Sequence, residues 1–178
     1  AFIMRQHGEA IRHIDTVDAT GGQRQEVLGF KGSLQDLRFG PDGTLAVLAI
    51  ENARRDPGAL QAGAPQTGEI DAQEDEQRIA TIADGHLAWQ SPADLYVYEY
   101  DWRNGATPGF VGTGATGNGD NNWWLAHLFA FEGGQSQLLY APPIDQQLGM
   151  PRVSPDGRSV VFIGGLMSDF GFFGGDAF

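Results

Sequence analysis

Met150-Pro-Arg-Val-Ser-Pro-Asp-Gly-Arg-Ser-Val-Val-Phe-Ile-Gly-Gly165 encodes a strand, a tight turn and a second strand. Val153 closes the first run. Pro155 presets one backbone angle of the turn, and Gly157 takes a positive one. Val160, Val161, Phe162 and Ile163 form the second run, with the β-branched and aromatic side chains that suit a pleated, half-buried surface.

The same hairpin occurs earlier. Leu34 to Phe39 leads into Pro41-Asp42-Gly43, and Leu45 to Ile50 follows. A third version runs from Asp94-Leu-Tyr-Val-Tyr-Glu-Tyr-Asp-Trp102 through Asn104-Gly105 to Phe110-Val111. Turns of a second kind, ending at Gly22, Gly85 and Gly134, alternate strictly with these. Within each kind the period is roughly 50 to 60 residues, which fits four short strands per repeat and a β-propeller of four-stranded antiparallel blades. A β-sandwich also has short strands and many turns, but it gives no reason for two turn types alternating at a fixed period.

Between the turns lie further short runs. Ala1 to Met4 is a strand already under way, Ile11, Ile14 and Val17 carry the next, and Glu26 to Phe30 another. Arg78 to Ala83, His86 to Gln90, Trp123 to Phe131 and Gln137 to Tyr140 are expected as strands. Residues 51–77 break the rhythm. They are rich in Gly, Pro, Gln, Ala and acid and are expected to form a polar insertion loop without core residues. On this register Ala1 to Met4 occupies the second strand of a blade, and Gly43 and Gly105 lie in the first turns of two complete blades. Gly157 opens another that reaches its third strand at Phe178. The expectation is an all-β chain: an incomplete β-propeller segment over residues 1–178, two complete blades flanked by two partial ones.

Composition narrows the function. The net charge of −12 argues against a nucleic-acid surface and against anionic lipid. No apolar run has the length of a membrane-spanning helix. The absence of cysteine removes disulfides, thiolate metal sites and cysteine nucleophiles, and it fits a periplasmic or a cytoplasmic protein equally.

The Ser154-Pro-Asp-Gly-Arg-Ser-Val-Val-Phe162 hairpin resembles the blade motif shared by TolB-type propellers and the prolyl oligopeptidase family of serine peptidases. Asp94 to Trp102, Gly119-Asp-Asn-Asn-Trp-Trp124, Met150 to Gly157, Gly164-Gly-Leu-Met-Ser-Asp169 and Gly174-Gly-Asp176 are similar to the propeller of bacterial dipeptidyl or acylaminoacyl peptidases of that family. The resemblance implies a propeller that gates entry, so that small peptides and not folded proteins reach a Ser-His-Asp triad in an α/β-hydrolase domain. Its implied partners are the rest of the propeller, that hydrolase domain and a peptide substrate.

The hydrolase half does not appear in this sequence. A nucleophile elbow needs Gly-x-Ser-x-Gly between a strand and a helix. Gly134-Gln-Ser-Gln-Leu138 lacks the last glycine, and Ser136 falls in a repeat strand. No amphipathic helical period is present. No catalytic residue, metal ligand or cofactor is therefore assigned. His7, His13, His86 and His127 lack zinc-ligand spacing. Asn118, Asp120, Asn121 and Asn122 do not match an EF-hand loop. Asp169-Phe-Gly171 has no accompanying nucleotide loop.

The candidate binding residues are Glu99, Asp101, Asn121, Asn122, Trp123 and Trp124. Glu99 and Asp101 share one face of their strand, where two carboxylates could hold a peptide's amino terminus. Trp123 and Trp124, adjacent in their strand, face opposite ways, so that one can fill the gap between blades while the other faces a neighbouring blade, the channel or solvent. The alternative function is a non-catalytic TolB-like propeller that binds proteins or glycans.

Overall fold

The computed structural model describes residues 1–5, 11–53, 75–105, 108–117, 119–166 and 176–178. Thirteen strands run through them: β1 (Phe2–Arg5), β2 (Ile11–Thr16), β3 (Gln25–Phe39), β4 (Leu45–Glu51), β5 (Arg78–Ala83), β6 (His86–Trp89), β7 (Tyr96–Arg103), β8 (Gly109–Ala115), β9 (His127–Glu132), β10 (Gln135–Tyr140), β11 (Gln146–Val153), β12 (Val160–Leu166) and β13 (Asp176–Ala177). Neighbouring strands pair antiparallel and in chain order, β1 through β6, β7 through β10, and β11 through β13. The chain is all-β, built from antiparallel sheets. Residues 54–74 of the expected insertion and 167–175 of the resemblance lie outside the described residues, as do His7, Asn118 and Asp169-Phe-Gly171.

Two kinds of tight turn follow directly from local chemistry. Asp84 and Gly85 both take positive φ, 51° and 76°, as do Gly133 and Gly134, which matches the twist of their hairpins. In the other kind, the Asp42 carboxylate accepts from the Thr44 amide at 3.0 Å, and Asp156 accepts from the Arg158 amide at 3.1 Å. Gly43 and Gly157 then turn the chain at φ 84° and 73°.

The runs at Glu26–Phe30 and Leu34–Phe39 are one strand of 15 residues, β3, rather than two. Its first half pairs with β2 as far as Lys31, and its second half pairs with β4 from Gly32 onward. Gly32 marks the exchange because a Cβ there would run into the Ile50 carbonyl. Arg12 Nε donates to the Gly32 carbonyl at 2.9 Å and ties β2 to the same point. β3 thus divides the six-stranded sheet into a first unit (β1, β2 and the start of β3) and a second (the rest of β3 with β4, β5 and β6). β7–β10 form the third unit and β11–β13 the fourth.

Three apolar layers lie between successive units. Ile14 and Leu28 of the first pack with Leu45, Val47, Ala49 and Ala80 of the second. From the opposite face of the second, Ala46, Leu48 and Ile79 pack with Val97, Tyr100, Phe110 and Phe131 of the third. Val111 and Leu128, on the far side of the third, meet Leu148, Val153, Val160 and Phe162 of the fourth. The near-continuous apolar run of β4 has this cause: alternate side chains serve two layers, and Leu45 to Ile50 are all buried. Each large side chain so buried contributes about 1.5–3 kcal/mol.

Two expectations need correction. The stretch expected as one strand from Trp123 follows a helical turn (Gly119–Asn122) and begins instead with a 3-10 turn (Trp123–Leu125), and β9 starts only at His127. The cause lies at a distance. Tyr98 Oη donates to the Gly119 carbonyl at 2.7 Å, Asn122 Nδ2 donates to the Thr116 carbonyl at 2.8 Å, and Gly119 sits where a Cβ would strike the Tyr96 ring. Gln77, assigned to the insertion, is 3% exposed and belongs to the framework. Its amide group donates to the Val97 carbonyl at 2.8 Å and accepts from Gln35, and its carbonyl accepts from the Val97 amide. It therefore joins the second unit to the third. Glu51 likewise belongs to β4.

Candidate functional site

β3, β7 and β11 open the second, third and fourth units, and each carries a bulge, between Gln35 and Arg38, Val97 and Glu99, and Gly149 and Arg152. A bulge leaves a residue out of the ladder and re-aims its neighbours. Asp36 and Met150 sit in two of them with nearly equal left-handed φ, 50° and 53°. Superposing Pro41-Asp42-Gly43 on Pro155-Asp156-Gly157 along the sequence sets Asp36 on Met150 and Arg38 on Arg152. The two strands are copies down to their strained residue.

Polar side chains bridge the three strands. Glu99 Oε2 accepts from the Met150 amide at 2.6 Å, and Asp101 Oδ2 accepts from the Val153 amide at 2.9 Å. The other oxygen of Asp101 lies 3.6 Å from the Arg38 guanidinium. Arg38 donates to both carboxylate oxygens of Asp36, at 3.0 and 3.2 Å, and stands 5.4 Å from the Tyr100 ring centre. Tyr100 Oη donates to the Asp36 carbonyl at 2.7 Å.

Burial and nearby charges shift three groups of this row. Burial holds the Glu99 carboxyl above the ordinary glutamate range, against the opposing pull of the Met150 hydrogen bond and the Arg152 charge. It pushes the Tyr100 phenol far up, helped by the charge of Asp36. For Arg38 burial acts downward, but the Asp36 hydrogen bond and charge, with Asp101 behind them, outweigh it and raise the guanidinium.

The candidate residues meet at β11. Glu99 and Asp101 do share one face, and the structure directs both to the β11 backbone. Asn122, Trp123 and Trp124 are half-buried, and the 3-10 turn holding the tryptophans packs on β8 and β11. Asn121 lies in the adjoining helical turn. With no strand at Trp123, the opposite-faces argument for the pair does not apply. Tyr96 and Tyr98 lie 5.1 Å apart between ring centres, and both meet Gly119 at the start of the turn that precedes the tryptophans. Ser136 lies in β10, and His13 faces Glu26 at 3.0 Å. Among the described residues no group of three His, Cys, Asp or Glu is arranged to hold a metal ion.

Arg38, Tyr100, Gln77 and Arg152 escape a reading by composition. The repeat alignment of the two Pro-Asp-Gly hairpins was the available signal for Arg38 and Arg152. Nothing local marks Gln77. Family models, curated proteins and solved structures contain no match to this chain.

Proposed function

We propose that the four units are successive blades of a β-propeller, and that the chain is the gating, substrate-selecting segment of a serine peptidase that cleaves small peptides. The observation that carries the propeller reading is the order of the apolar layers. Each unit is a meander, and the second and third each bury one face on the unit before and the other on the unit after, as blades do. The peptidase reading rests on the sequence resemblance, and fold alone does not carry function. Its α/β-hydrolase domain and the remaining blades belong to the parent polypeptide. Glu99 and Asp101 each commit one carboxylate oxygen to the β11 backbone, so within this segment the half-buried aromatic side chains of Tyr96, Tyr98, Trp123 and Trp124 are the better candidates for meeting a peptide side chain.

The test is the parent protein. It should label with a fluorophosphonate, turn over aminoacyl or dipeptidyl p-nitroanilides and leave a folded protein intact. Trp124→Ala should alter selectivity among peptides without preventing labelling. A parent without a reactive serine would instead favour the second reading, a non-catalytic propeller in which the same aromatic side chains bind a protein or glycan.

A further inference from the structure

Arg38 is covered, and its counterpart in the fourth unit, Arg152, is not. In the second unit Arg38 pairs across the ladder with Ala46, and this face is sealed by the third unit: Ala46 is 0% exposed and packs with Val97, Tyr100 and Phe110. In the fourth unit Arg152 pairs with Val161 in the same register. Their sequence neighbours Val153 and Val160 point toward the third unit, so Arg152 and Val161 point away from it. Arg152 is exposed, and Val161 is 48% exposed. The Met150 backbone beside them repeats the left-handed turn through which Asp36 presents its carbonyl to Tyr100.

What covers the first face defines what fits the second. Tyr100 brings a hydroxyl to the Asp36 carbonyl and a ring to Arg38, and Asp101 brings a carboxylate to the same guanidinium. We infer that the outward face of the fourth unit, at Met150, Arg152 and Val161, seats the opening strand of a further antiparallel sheet of the parent polypeptide, and that this strand carries an adjacent tyrosine and acid. The tyrosine hydroxyl donates to the Met150 carbonyl, its ring lies beside Arg152, and the acid pairs with Arg152 while an apolar side chain covers Val161. Charge and pattern both favour such an occupant: the exposed group is cationic, and the contact continues the repeat by which the second unit receives the third. This deepens the propeller reading and rests on it.

The experiment is an atomic structure of the parent protein, paired with dicarbonyl labelling of its arginines read peptide by peptide. Arg152 should lie between a tyrosine ring and a carboxylate of the same polypeptide and should label as slowly as Arg38, with exposed Arg158 as the fast reference. A further sheet on this face that lacks the tyrosine–acid pair overturns the inference and leaves the propeller standing. So does a sheet supplied by a second copy or by another polypeptide. A face open to solvent, with Arg152 labelling like Arg158, overturns both. Arg152→Met in the parent should lower the melting temperature and Arg158→Met should not; equal melting of the two variants also counts against the inference.

Discussion

Asp101 accepts the Val153 amide at 2.9 Å from a strand that is not its ladder neighbour, while its second oxygen faces Arg38 at 3.6 Å. One side chain thus touches the opening strands of both adjacent units. Removing it breaks a hydrogen bond to a charged acceptor, worth about 1.5–3 kcal/mol, and leaves a half-buried amide unpaired. Asp101→Ala should destabilise the protein by an amount of that order in chemical denaturation. Asp101→Asn keeps an acceptor for Val153 and should recover most of the loss. The Arg38 contact is long and half-exposed and should contribute only about 0–1 kcal/mol in a double-mutant cycle. A small Asp101→Ala effect would show that the bridge carries little of the inter-unit stability.

Gly43 and Gly157 occupy the same place in the two Pro-Asp-Gly hairpins but not the same surroundings. Both have positive φ, which costs a residue with a side chain about 1–2 kcal/mol. A Cβ on Gly43 would meet nothing within 4 Å, whereas one on Gly157 would collide with the Asn104 carbonyl of the neighbouring turn. Gly157→Ala should therefore lower the melting temperature more than Gly43→Ala does. Equal losses would mean that the two turns are not in contact in solution.

Glu99 makes stability depend on pH in a direction unusual for a hydrogen-bonded acid. Burial raises its proton affinity in the folded state, while Met150 and Arg152 oppose the rise. Above the unfolded value the native carboxyl still holds a proton that the unfolded chain has lost, so this group's contribution falls as pH rises through the raised pKa. Glu99→Gln retains an acceptor for the Met150 amide and has no charge to desolvate. Thermal melts across the acid-to-neutral range should show the variant level with the parent sequence at low pH and ahead of it at neutral pH. A variant that is weaker at neutral pH would show that the charged hydrogen bond outweighs the burial.

Purified polypeptide of residues 1–178 should hydrolyse no peptide or ester. Its closest approach to a serine elbow, Gly134-Gln-Ser136, sits in a strand hairpin in which Gly134 turns the chain and Ser136 belongs to β10. Turnover of an aminoacyl-p-nitroanilide that a serine-directed phosphonate abolishes would overturn this.

The hairpin turns were legible because their causes are local: Asp84-Gly85 and Pro155-Asp156-Gly157 carry their geometry in consecutive residues. The common face of Glu99 and Asp101 was legible from alternation. Their partners were not, because Met150 and Val153 lie more than fifty residues further along the chain. Trp123 and Trp124 look like strand residues, and contacts such as that of Tyr98 with Gly119, 21 residues away, turn that segment aside. Lys31-Gly32-Ser33 falls between two runs expected as separate strands, yet Gly32 continues one strand. Its role is to let Ile50 approach while the strand changes partner, which no window of sequence displays.

The undivided run of β3 also fixes where the chain can change length. An extra residue beside Gly32 would shift one half of the strand against the other by a single place. Because side chains alternate, either the β2 side or the β4 side would then present its apolar residues to the wrong face. The connections at residues 90–95 and 141–145 bear no such double register, since each lies between strands of different sheets. Insertions and engineered fusions should be accepted at the exposed Ala93-Asp94 and at residues 141–145 and rejected beside Gly32, so the first two units can be transplanted only as a pair.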